Sequence, residues 1–125
     1  MTHTLNLYAG WLGFLAGAVT GALIGLFFHR DDWLGGYDSW TRRLLRLGHI
    51  ACFGLGLINI LFALSAAGLP MSAALHFGSL LLVAGMITMP LNCFLSAWKK
   101  PFRHLFFIPA GSTLIGIVCL LLAFP

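Results

Sequence analysis

Four long apolar runs divide the chain, at about residues 5–28, 44–67, 72–97 and 102–124, separated by short polar or turn-forming gaps. Each run is close to or above the roughly 20 residues that an α-helix needs to cross the hydrocarbon core of a bilayer. Strands and soluble-core helices give shorter runs, or runs with a polar face. The pattern therefore predicts an all-α, integral membrane four-helix bundle occupying residues 1–125 as one membrane domain. Composition agrees, with 60% hydrophobic and 8% charged residues against about 25% charged in an average soluble domain. The first run lacks the basic leader and small-residue cleavage site of a secretory signal and reads as a span.

The gaps give the predicted spans a direction. Arg30, Arg42, Arg43 and Arg46 flank the first gap, and Lys99, Lys100 and Arg103 mark the third. The N-terminus, the gap at 66–72 and the C-terminus carry no Lys or Arg. The positive-inside rule then assigns an N-out, C-out topology in an inner (cytoplasmic) membrane, with the basic loops cytoplasmic. Tyr8 and Trp11 at one end and Trp33, Tyr37, Trp40 and Trp98 at the other fit the aromatic belts of such a protein. The net charge of +4 is thereby explained by anchoring and does not point to nucleic acid. The only acids, Asp31, Asp32 and Asp38, share the first gap with Gly35 and Gly36, and Asp38 or Ser39 is placed to cap the next helix. Trp40 with Arg42, Arg43 and Arg46 is echoed by Trp98 with Lys99, Lys100 and Arg103, a pattern compatible with two parallel helical hairpins.

Helices in lipid associate through close approach of small residues and through interhelical hydrogen bonds. Gly13, Gly17, Gly21 and Gly25 form a glycine zipper on the first helix, suited to packing inside the bundle or against another subunit. Comparable seams run through His49, Cys52, Gly56 and Asn59 on the second helix and His76, Ser79, Met86, Pro90 and Cys93 on the third. Pro90 and Pro109 are expected to kink their helices, with Thr88, Ser112 or Thr113 satisfying the carbonyls set free.

Ionisable residues inside spans are functional suspects, and here these are His49 and His76. From helical rise, each lies roughly 7 Å inside its helix end, but at opposite ends. That spacing disfavours one haem or metal bound by this pair alone. His76 is expected to pair with Asn59, with Ser79 one turn along the same seam; its functional readings are a haem ligand, a quinone hydrogen-bond partner or a proton-transfer group. His49 shares its level with Cys93 and, one turn deeper, Cys52. That His and Cys grouping, with Met86 and Met89 nearby, suits a soft ion such as Cu(I). A b-type haem is a possible cofactor, with His49 as one ligand and Gly54 or Gly56 making space; His29 and His104 read as interfacial.

No intramembrane carboxylate, metalloprotease motif, nucleophile elbow or phosphate-binding loop is present in the sequence. An independent catalytic activity is not expected. The leading reading is a subunit or accessory factor of a larger membrane assembly, related to electron transfer. The alternatives are a redox protein binding b-type haem, quinone or copper through His49 and His76, and a small oligomeric transporter or channel. The partners implied are the lipid bilayer and either other membrane subunits or further copies of the chain.

Overall fold

The computed structural model describes residues 2–125. Four α-helices run Thr2–Phe27 (α1), Trp40–Ala66 (α2), Ala73–Trp98 (α3) and Phe107–Leu121 (α4). Two short 3-10 helices, Trp33–Gly35 and Lys100–Leu105, stand in the two basic connections. No strand occurs among the described residues. With the second 3-10 turn counted into the last span, four helices are long and apolar enough to cross a membrane.

The element bounds differ from the hydropathy reading at two instructive places. α2 starts at Trp40, about one turn before its apolar run, because the Ser39 hydroxyl accepts the Arg42 N–H at 3.2 Å and caps the helix among charged residues. The last span is not α-helical from 102. Residues 100–105 form a 3-10 turn, and the α-helix proper begins at Phe107. Pro109 lacks the N–H that would bond the Leu105 carbonyl and so weakens an α-helical first turn. Asn92 of α3 holds the junction: with its amide turned to suit its neighbours, it donates to Phe102 O at 2.8 Å and accepts from Phe106 N at 3.0 Å.

Neighbouring helices pack in chain order, α1 on α2, α2 on α3, α3 on α4, and α1 also reaches α3. The pairings show that each neighbour is antiparallel. A Cβ at Gly10 would stand 2.6 Å from Gly56 O, whereas one at Gly17 would stand 2.7 Å from Phe53. At the other interface, Gly78 meets Gly116 and Cys119, while Gly85 meets Pro109 and Thr113. α2 and α3 thus form the centre of an open row with α1 and α4 at its flanks.

Two apolar clusters fill the row. Phe62, Ala66, Leu75 and Leu82 form the larger one, supported by Ile117 and Leu120 of α4. Ala9, Leu55 and Met86 form the smaller. Outside these seams the long apolar side chains are exposed, among them Leu12, Leu15, Leu23 and Leu26 on α1 and Leu114, Leu121 and Leu122 at α4. Such a surface suits lipid, where a large apolar exterior carries no hydration cost.

Candidate functional site

Three of the glycines expected as a packing ladder, Gly13, Gly17 and Gly21, lie against α2 within the chain. A Cβ at Gly13 would stand 3.0 Å from Cys52 O and 3.1 Å from Gly56 Cα, while Gly21 lies directly against the ring of His49. Gly10, outside the expected ladder, makes the closest approach of the two backbones together with Gly56. Gly25 departs from the pattern: a Cβ there would meet nothing within 4 Å. The ladder therefore closes the α1–α2 seam as far as Gly21 and then lets the helices part.

His49 sits at that parting. Its Nδ1 is 2.9 Å from Gly17 O, and because a carbonyl only accepts, the ring proton is on Nδ1 and is donated. The Thr20 hydroxyl lies 3.4 Å from the same nitrogen while donating to Ala16 O at 2.8 Å. Phe53 meets the ring edge-on at 5.3 Å between centroids. With Nδ1 held and the ring edge against Gly21, Nε2 makes no hydrogen bond within the described residues. A backbone carbonyl fixing one ring nitrogen sets the tautomer and orientation of the other, as in metal-ligating histidines.

A groove of about 320 Å³ opens beside this ring, walled by Ile24 and Gly25 of α1, by Phe28 just past its end, and by Arg46 and Ile50 of α2. Arg46 stacks on Tyr37 at 4.0 Å and donates through Nη2 to Tyr37 O at 3.2 Å. Its Nη1 is buried and has no partner. Leaving such a charged donor unpaired and away from water costs free energy, and the Tyr37 ring under the guanidinium offsets part of that cost. No other histidine lines it. His29 and His104 are exposed, the former beyond the end of α1 and the latter in the second 3-10 turn.

His76 does not join Asn59. It is exposed on α3, and Asn59 is fully buried with a different partner, Asn6. Asn6 Nδ2 donates to Asn59 Oδ1 at 2.8 Å and to Ser79 O at 3.2 Å, and Ser79 Oγ donates to Asn6 Oδ1. Asn59 Nδ2 in turn donates to Leu55 O at 2.9 Å and Leu82 O at 3.1 Å. This network ties three helices and satisfies the amide groups of both asparagines, which makes it a structural clamp. Asn6 does not stand out in the sequence because it lies at the very start of the first run, yet its spacing to Ala9, Gly10 and Gly13 continues the buried seam of α1 and was a usable signal.

Cys52 and Cys93 are both buried as free thiols. Among the described residues no three of His, Cys, Asp or Glu come together as metal ligands, so His49, Cys52 and Cys93 are not brought into such a group. The threonine hydroxyls near the prolines bond other carbonyls than those the prolines release: Thr88 donates to Ala84 O at 2.7 Å and Thr113 to Pro109 O at 2.9 Å. A threonine in a helix reaches only its own preceding turn.

The other polar feature that the sequence does not foretell is the burial of Arg42, which is 4% exposed. Its guanidinium lies 5.5 Å from the Phe28 ring, 5.4 Å from Trp33 and 5.7 Å from Tyr37, and it donates to Arg30 O at 3.3 Å and Asp31 O at 3.5 Å. The first connection is wound round this cation, with Leu34, Gly35 and Gly36 at φ of 53°, 86° and 93°. Against the α2–α3 hairpin, Trp40 Nε1 donates to Ser96 O at 2.9 Å and Thr41 Oγ1 to Ala97 O at 3.3 Å.

Compared with known protein families, with curated proteins and with solved structures, the chain shows no match. The class defined by the structure is an all-helical protein with four helices fit to cross a membrane.

Proposed function

We propose that the chain is a four-span protein of a bacterial-type inner membrane, with both termini outside and its basic loops in the cytoplasm. In this reading it serves as a non-enzymatic subunit or accessory factor of a larger electron-transfer assembly. The one-sided distribution of Lys and Arg supports the orientation. The observation that carries the role is His49: an imidazole fixed through Nδ1 on Gly17 O, with Nε2 unpaired beside a groove otherwise walled mostly by apolar residues. One oriented ligand or hydrogen-bonding group with no second reactive group beside it suits binding better than catalysis. The groove holds one histidine, so a two-ligand centre there would be completed by a neighbouring subunit.

The alternative in which the chain itself carries b-type haem, quinone or copper rests on the same residue. A transporter assembled through the glycine zipper has less support, since Gly13, Gly17 and Gly21 are occupied by α2.

Purification of a tagged chain from its native membrane in mild detergent tests the reading. The expected result is a stoichiometric membrane partner, with redox difference bands that belong to the complex. Bands or stoichiometric copper on the isolated chain would favour the carrier alternative. A lone chain with neither partner nor redox ligand would remove both.

A further inference from the structure

We propose that the furrow between α1 and α3 is the interface between two copies of this chain, related by a two-fold axis along the membrane normal. The pairing relies on the membrane orientation proposed above and is independent of an electron-transfer role.

Two apolar cavities, of about 580 and 410 Å³, lie end to end between these helices and share Thr20 and Phe94, so they form one furrow. Its α1 side runs from Leu5 to Phe27, about 33 Å of helix against roughly 30 Å of hydrocarbon core. The gap stays open because the α1 residues beside it include Ala9, Gly13 and Ala16, and because the Phe94 ring folds onto α2 at Gly48, where a Cβ would stand 2.6 Å from it. α4 does not fill the gap. It packs on another side of α3, at Gly78 and Gly85, and no α4 residue lines the furrow.

Length selects a helix as the occupant. The furrow crosses the bilayer midplane and matches a spanning helix, whereas an acyl chain belongs to one leaflet and covers about half of that depth. The Thr20 hydroxyl is already bonded to Ala16 O at 2.8 Å and so asks for no ligand.

Two features point to a second copy of this chain. α1 carries both a ridge and a hollow on this side: Leu12 and Leu23 are exposed, while Ala9 and Gly13 beside them are buried. All seven Lys and Arg lie at one end, so copies insert in the same direction. A two-fold then sets each leucine at the depth of the partner copy's small residues, which gives the close approach that helix association in lipid depends on.

The two lips of the furrow also end in opposite charge. Beyond Phe27 the α1 lip enters the first connection, where Asp31 and Asp32 stand exposed just before Trp33, itself part of the furrow wall. Even with Arg30 this segment is net acidic. The α3 lip passes from Phe94 to Trp98 one turn on, with Lys99 Nζ 4.6 Å from the Trp98 ring. A two-fold sets α1 of one copy against α3 of the other, and acids against a lysine twice.

Donor- and acceptor-labelled chains would be reconstituted together in liposomes and diluted with lipid, with energy transfer reporting association. We expect saturable transfer with the stoichiometry of a dimer. Ala16→Leu fills the furrow from an exposed position and should weaken association tenfold or more, whereas Ala18→Leu, the same change at an exposed α1 position outside the furrow, should leave it unchanged. Lys99→Asp should weaken it about threefold, and adding Asp31→Lys and Asp32→Lys should restore it. A monomer at high protein-to-lipid ratio, with or without lipid held in the furrow, would overturn the proposal. So would association that Ala16→Leu leaves intact, that Ala18→Leu reduces equally, or that the charge exchange does not restore. A chain that floats with liposomes but stays monomeric removes this interface alone; one that does not float removes the membrane reading with it.

Discussion

His49 of α2 donates from Nδ1 to the backbone carbonyl of Gly17 on α1 at 2.9 Å, and the ring reaches that carbonyl because Gly21 has no side chain in its way. The glycine ladder is therefore as much a seat for an imidazole as a packing seam. Gly21→Ala should displace the ring, since its methyl would occupy the place of His49 Cε1. We expect a loss of about 1–3 kcal/mol, as for overpacking, in unfolding measured in mixed micelles. In the same assay Gly25→Ala should be neutral or slightly stabilising, because it meets no atom and Ala is the better helix former.

The Asn6, Asn59 and Ser79 clamp should behave as one unit. Asn59→Leu leaves the Asn6 amide short of a partner in a site with no water access, at a cost of about 1–3 kcal/mol. The double variant with Asn6→Leu should cost less than the sum of the two single ones, which a double-mutant cycle would show. Strict additivity would mean that the two asparagines do not act together.

Arg42 is expected to organise the first connection rather than merely mark its side of a membrane. Arg42→Ala removes three ring contacts and two carbonyl contacts at once. Amide exchange over residues 30–38 should quicken by tenfold or more, about 1.4 kcal/mol of lost local stability or greater, while the helices stay protected. Arg42→Lys should restore only part of the protection, since an ammonium lacks the planar fork and stacks less well on rings.

Leu34 holds a left-handed backbone, φ 53°, directly before two glycines. Leu34→Gly relieves that conformation and should stabilise the connection by about 1 kcal/mol, provided its half-exposed side chain contributes little packing. Thermal unfolding of the variant checks the sign.

The sequence by itself determined four apolar helices and the clustering of all basic residues at two connections. Both follow from local properties: run length fixes what can span a bilayer, and charge is excluded from the runs. It also picked out His49, Asn59 and the glycines, because intramembrane polar groups and small residues at helical spacing are rare enough to stand out. Partnership across helices was decided only by the tertiary structure. Counting residues places His76 near Asn59, but the packing of α2 on α3 sets Asn59 against Leu82 O, leaves His76 exposed and gives Asn59 to Asn6. Arg42 and Arg46 look alike in the sequence, and only the winding of the first connection buries one among three rings and stacks the other on Tyr37 alone. Depth along a helix can be counted from residue numbers; the facing of a side chain depends on how neighbouring helices rotate and cross, which long-range packing sets.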